Sequence, residues 1–289
     1  MTTSLIILAA GMSSRMKKSQ HTALLSSEEL TQANQRSKGL ITLGSSGRPL
    51  LDYILSNAQK AGITEVYIVT GENNTMFKEH YGAKSANNAY HGLSVNYAIQ
   101  YIPKDREKPL GTADAVFQTI AQYPQLQTSS FLVCNSDNLY SENAFGALVN
   151  TPSLNAMIAY NMSSLQFTQE RLRNFAILNL NADDTLVNIV EKPKEQELIT
   201  YKTAQRDLYV SMNIFKFNGG QFYKYLRDCP LHSERNEKEL PVALGHMIAD
   251  KPDAMRAIKL SEHVPDLTSK SDISSMKNYI KNFDFNHWS

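Results

Sequence analysis

The sequence predicts an α/β protein of three layers, with a central mixed, mostly parallel sheet between helices. Three observations carry that expectation. Apolar runs of strand length alternate with segments of helical period, the pattern of βαβ units. Two of those runs end abruptly in small or polar residues: 5–8 passes into Ala9, Ala10 and Gly11, and 131–134 passes into Asn135, Ser136, Asp137 and Asn138. Strands buried on both faces read as continuous apolar runs, and in open α/β sheets the crevice beyond their carboxyl ends is where ligands bind. Finally, 289 residues with 42% hydrophobic content suffice for a substantial core.

In chain order, four large aliphatics at 5–8 form the opening strand. The small residues that follow let the backbone come close to a bulky anion and aim its N–H groups at it. Arg15 then adds a permanent charge able to grip phosphate in two places. Residues 17–37 are polar without a long apolar period, and read as a mobile loop or lid, although Ser26 and Glu29 have the spacing of a capping box. A turn at Gly44 to Gly47 leads to a helix with Pro49 in its first turn and Gly62 as its stop. Strands at Glu65–Thr70 and 95–100 and a helix at Thr112–Gln122 complete the first half. The second half is richer in strands, at Ala156–Asn161, 175–180, Leu186–Val190, 209–217 and 254–260. A helix at 237–249 and a segment ending in Trp288 follow. One domain over 1–289 is expected, with a nucleotide-binding half at 1–150 and a substrate-binding half at 151–289.

Composition excludes several classes. Twenty-nine Lys and Arg nearly balance 28 Asp and Glu, so no net field favours nucleic acid or an acidic membrane surface. Anionic ligands must be met by local clusters. Cys134 and Cys229 make neither a disulfide framework nor a metal-ligand pattern, which fits a reducing cytoplasm. No signal peptide and no apolar run of about 18 residues is present, so a soluble protein is expected. The histidines have no metal spacing, and no Gly-x-Ser-x-Gly or Cys–His pairing suggests a covalent nucleophile.

LAAGMSSRM at 8–16 resembles the opening of the nucleotidyltransferases that join a nucleoside triphosphate to a sugar phosphate, with Ser13 in place of that signature's second glycine. The resemblance implies a Rossmann-like, GT-A-like fold, with Leu8, Ala9, Ala10, Gly11 and Arg15 on the nucleotide. It extends over most of the chain. Lys38 matches a phosphate-contacting lysine, with Gly39 where proline is usual. PLGTADAV at 109–116 resembles the P-L-G-T-A/G-H-A element, which implies that Gly111 and Thr112 lie against the base; Gln100 looks like the glutamine that reads its edge. NSDN resembles G-D-D/N, making Asp137 the magnesium-binding aspartate and placing Asn138 at the substrate. In EKP, Glu191 would face sugar hydroxyls and Lys192 the sugar phosphate. Asn213, in YVSMNIFKF, would line the sugar pocket, and Ala176 stands where a Y-G-x-I element has its glycine. HVPDLTSKSDI is similar to D-V-G-T-P-E-D, which implies Asp266 as second metal ligand, with Thr268 and Lys270 replacing glycine and proline.

Each residue also has a plainer role open to it: Asp137 as a turn cap, Asp266 as the N-cap of the last helix, Lys192 as a solvated lysine. The reaction implied is Mg²⁺-dependent attack of a sugar 1-phosphate on a nucleoside triphosphate, UTP favoured. A catalytically inert nucleotide-sugar sensor and a cytidylyltransferase using phosphocholine are the alternatives, and homo-oligomerisation stays open.

Overall fold

The structure, a computed structural model, describes residues 3–20, 25–44, 46–191, 193–205 and 207–288. In chain order the elements are β1 (Ser4–Leu8), α1 (Ser14–Lys18), α2 (Ser27–Gln35), β2 (Thr42–Leu43), β3 (Arg48–Pro49), α3 (Leu50–Lys60), β4 (Glu65–Thr70), α4 (Thr75–Tyr81), β5 (Asn88–Tyr90) and β6 (Leu93–Ile99). Then come α5 (Thr112–Gln122), β7 (Ser130–Asn135), α6 (Glu142–Asn150), β8 (Ala156–Asn161), α7 (Gln169–Leu172), β9 (Ile177–Leu180), β10 (Leu186–Val190) and α8 (Glu195–Gln205). The chain continues through β11 (Tyr209–Val210), β12 (Ile214–Asn218), α9 (Gly219–Arg227), α10 (Leu240–Asp250), β13 (Arg256–Leu260) and α11 (Asp272–Tyr279). The fold class is the one expected, an α/β protein whose mixed sheet is flanked by helices. Two compact units interleave along the sequence. One is built of Thr3–Pro109, Asn135–Gly146 and Pro265–Ser289, the other of Leu110–Cys134 and Ala147–Val264.

The first unit holds the parallel run. β1 pairs with β4 and β4 with β6, all parallel, and β5 closes the edge antiparallel to β6. Leu5, Ile6 and Ile7 are fully buried, as a continuous aliphatic run at a central strand requires. α3 is buried from Leu50 to Ala58 because the 283–288 segment lies on it. Phe283 and Phe285 each meet Tyr53 edge-on at 4.9 Å, His287 lies 3.0 Å from Ser56 Oγ, and the Trp288 indole donates to Gln59 Oε1.

Part of the 17–37 stretch that the sequence reads as an irregular lid is ordered helix. α2 begins with the capping box foreseen at Ser26 and Glu29. Its hold on the unit is polar, which is why no apolar period announces it. The buried Gln32 accepts from the Thr42 N–H and hydroxyl at 2.8 and 2.9 Å, and Glu29 pairs with Lys277 of α11 at 2.6 Å.

In the second unit the strand order is β10-β9-β11-β8-β12-β7, each pair antiparallel, with β13 parallel to β8. Phe217 and Phe222 stack at 3.9 Å in its core. The expected strand at 209–217 is broken in two, because Asn213 turns left-handed at φ 57°. Asparagine is among the few residues that tolerate that region. The helix expected at 237–249 begins at Leu240, since Glu239 is its extended N-cap.

Candidate active site

In the first unit the strand end becomes a loop by a defined set of bonds. Ala9 N donates to Val69 O at 2.9 Å and Ser136 N donates to Leu8 O at 3.2 Å, so Leu8 and Ala9 continue the strand contacts. Ala10 and Gly11 then leave the sheet and are partly or fully exposed. Ser13 sits at φ 55°, ψ 29° as the N-cap of α1. A serine thus holds the left-handed geometry for which the family pattern has glycine, at a steric cost that its short polar side chain keeps small. The turn starts α1, on which Arg15 is exposed and Met16 buried.

Lys38 and Asp137, 99 residues apart in sequence, meet. The Lys38 ammonium donates to Asp137 Oδ2 at 2.8 Å, with side chains 11% and 25% exposed. Lys38-Gly39-Leu40 forms a 3-10 turn. A Cβ on Gly39 would stand 3.3 Å from Ser136 Cβ and O, so glycine lets the turn settle onto the Ser136 backbone and bring Lys38 to its neighbour. Asp137 spends its carboxylate on a cation, and not on capping a turn. Gln100, at the end of β6, is buried, its N–H on Thr70 O at 2.8 Å.

Asp266 returns to the same place. Leu267 N donates to Asp137 O at 2.8 Å, Leu139 N donates to Pro265 O at 2.9 Å, and Asn138 and Asp266 form an antiparallel bridge between them. Asp266 therefore faces Asn138 and stands one residue out of register with Asp137. Its Oδ2 accepts from the Thr268 hydroxyl at 2.8 Å. The N-cap of α11 is Ser271, and Asp272 accepts the N–H groups of Thr268 and Ser269, so Asp266 is not the cap of that helix. Lys270 is buried, and its ammonium donates to Lys17 O and Ser19 O at 3.0 and 2.8 Å.

The second unit carries the remaining residues. Gly111 is the N-cap of α5 at φ 114°, ψ −178°. Lys238 N donates to Leu110 O, Ala113 N to Lys238 O and Leu240 N to Thr112 Oγ1, so this glycine and threonine are fixed by the chain that passes over them. Asp114, where histidine is common in the family, is buried and accepts from Gln118 at 2.8 Å. Ala176 O accepts from Ser211 N, and Asn213 is exposed at its left-handed turn. Glu191 is exposed and ion-paired with Arg235, which also holds Glu239 at 2.6 Å. Lys192 lies outside the described residues.

Arg235 is the functional candidate that sequence reasoning missed. Its four-residue spacing from Glu239 is a local signal, but the link to Glu191, 44 residues upstream, is in no local pattern. A cavity of about 550 Å³ in this unit, lined by Asn155, Thr185, Gln221 and Arg256 among others, contains none of the candidate residues. Among the described residues, no group of three or more His, Cys, Asp or Glu is gathered to hold a metal ion by protein alone. No helix among them is long and apolar enough to cross a membrane.

A small-residue loop at the end of a parallel strand, an exposed arginine and a lysine–aspartate pair beside it stand together in the first unit of this α/β protein. Residues 29–281 match the sequence profile described as Nucleotidyl transferase, and the chain belongs to that family. It is 24% identical over 236 residues to the bifunctional protein GlmU of Methanococcus maripaludis strain C5, covering 82% of this chain and 48% of that protein. With GlmU of Methanococcus vannielii the identity is 26% over 235 residues, 81% of this chain and 48% of the relative. With the small subunit of glucose-1-phosphate adenylyltransferase of Triticum aestivum it is 25% over 168 residues, 57% of this chain and 35% of the relative. The chain thus spans about half the length of the two GlmU proteins. Among solved structures it is similar to a Bacillus anthracis protein assigned as a glucose-1-phosphate thymidylyltransferase, in complex with sucrose. The TM-score is 0.68 at 16% identity, over 99% of this chain and 98% of that one, a likeness of fold alone.

Proposed function

We propose that these 289 residues form one nucleotidyltransferase domain that joins a nucleoside triphosphate to a sugar 1-phosphate in the cytoplasm, giving a nucleoside diphosphate sugar and pyrophosphate. The observation that carries the reading is the Lys38–Asp137 pair set beside the 8–15 loop. Such a pair presents both a cation for phosphate and a carboxylate for a metal.

In this reading the sugar phosphate needs no general base, since a phosphate monoester is largely dianionic at pH 7. One of its oxygens bonds to the α-phosphorus while the bridge to the β-phosphate breaks, and the electron pair leaves with pyrophosphate. The obstacle is repulsion between two anions, so the protein's work is positioning and charge stabilisation. Arg15 and Lys38 meet the triphosphate, Gln100, Gly111 and Thr112 its base, and Asn138, Ala176, Glu191 and Asn213 the sugar, with Lys192 on its phosphate.

Asp137 fits a hard divalent ion: its carboxylate is partly open and already carries a cation, the Lys38 ammonium. With only one or two carboxylates offered, phosphate oxygens and water would complete the shell that Mg²⁺ prefers. The bound ion supplies neutralisation of phosphate charge. Asp266 is proposed as the second ligand because its segment pairs with that of Asp137.

The test is a pyrophosphate-release assay over a panel of triphosphates, UTP first, against sugar 1-phosphates and phosphocholine, with and without Mg²⁺. Release that requires a triphosphate, a sugar 1-phosphate and Mg²⁺ together supports the reading. Release with CTP and phosphocholine redirects it. Tight binding of a nucleotide sugar with no turnover overturns it in favour of a sensor.

A further inference from the structure

We propose that Lys270 is a positioning residue that fastens the Arg15 helix to the loop bearing Asp266, so that the triphosphate grip and the metal loop are held as one piece. The inference rests on the functional reading above. α1 has five residues and buries only Met16. A helix that short has no stability of its own in water and must be held from outside. Lys270 holds it. Its backbone N–H donates to Ser19 Oγ at 3.1 Å, and its ammonium reaches Lys17 O and Ser19 O at 3.0 and 2.8 Å.

Ser19 is the C-cap of α1, and its own N–H is bonded to Arg15 O at 2.9 Å. The route from the Lys270 ammonium to the Arg15 backbone is therefore one residue long. Carbonyls at a helix C-terminus are a helix's orphan acceptors and carry its negative end, which a cation satisfies. In the other direction Lys270 is four residues from Asp266, whose carboxylate the Thr268 hydroxyl already orients. Burying an ammonium is costly unless its protons are bonded, and an apolar residue of similar length would fill the same space more cheaply. What the lysine adds is placement of α1.

The experiment compares wild type, Lys270→Met and Lys270→Arg, each with Arg15 and with Arg15→Ala. Amide hydrogen exchange of residues 14–19 in the free protein reads the tether, and calorimetric titration of UTP with Mg²⁺ reads its consequence. Lys270→Met should speed exchange at 14–19 while leaving the β1 and β4 amides protected. It should weaken UTP binding roughly tenfold, the scale of one charge-assisted hydrogen bond. In the Arg15→Ala background the same substitution should change UTP affinity less than about twofold, because coupled residues are not additive. Lys270→Arg should recover part of both effects.

Unchanged exchange at 14–19 overturns the tether. Equal losses of affinity with and without Arg15, or no loss at all, overturn action through Arg15. A wild-type protein that binds none of the four common triphosphates overturns the functional reading and the Arg15 coupling with it, while the exchange result still decides the tether.

Discussion

Gly111→Ala separates two reasons for a glycine in PLGTADAV. At φ 114°, ψ −178° the backbone occupies a region that alanine enters only under strain, about 1 to 3 kcal/mol. Its Cβ would also stand 2.4 Å from Lys238 O and 2.9 Å from Lys238 C and N. That segment cannot simply withdraw, because its bonds to Leu110 and Ala113, and that of Leu240 to Thr112, hold it there. Giving up one or two of them adds about 1 kcal/mol each, for a total loss of about 2 to 5 kcal/mol. Urea unfolding of wild type and variant, at a shared slope, reads this as a fall in the midpoint. Gly146→Ala is the control: it lies within α6 with nothing within 4 Å of the new Cβ, and should stabilise by about 0.5 to 1 kcal/mol. A Gly111→Ala protein within about 0.5 kcal/mol of wild type, within the ordinary scatter of surface changes, would refute the steric argument. The glycine would then serve only the close approach of a ligand.

His263 should make stability pH-dependent. Burial first, and the nearby Arg171 charge second, lower its pKa from 6.5 to about 4. The folded state therefore refuses a proton that the unfolded chain accepts below pH 6.5. This stability is complete above that pH and is lost between pH 6.5 and 4, to the extent of about 2 to 3 kcal/mol; unfolding series at several pH values should show a flatter profile for His263→Gln. Asp137→Asn should cut turnover by at least about a hundredfold while circular dichroism shows a folded protein, and Asp266→Asn should act in the same direction; normal turnover of the latter would leave the ion to Asp137, water and phosphate. Arg235→Met should lower stability by about 1 to 3 kcal/mol, since Glu239 is only 10% exposed and its Oε2 has no partner even now. Adding Glu239→Gln should restore part of that loss in the same unfolding assay.

What the sequence made legible was whatever is local. The aliphatic run at 5–8, the arrest of 131–134 in polar residues and the Ser26–Glu29 box each state their structure within about ten residues, and the structure has all three. Tertiary polar contacts were out of reach. α2 is held by Gln32 and Glu29, whose partners Thr42 and Lys277 follow no period. Lys270 reads as a departure from a motif until its bonds to Lys17 and Ser19 are seen. Asn213 hid its turn inside an apolar run, because asparagine reverses the backbone without glycine's signature. For the candidate site, the pairing of Lys38 with Asp137 needed the fold, whereas the residue types at both positions were already those that phosphate and metal require.

The first unit closes only with chain that follows the second. Its parallel strands are complete by Ile99, yet α3 is covered by residues 283–288, and the Asp137 segment by 265–267. A ribosome must add the whole stretch from Leu110 to Val264 in between. At about 5 to 20 residues per second that is a wait of roughly ten to thirty seconds, during which Tyr53, Ser56 and Gln59 of α3 lack the partners that cover them. The early part of the first unit acquires its final cover only when the late aromatic segment arrives.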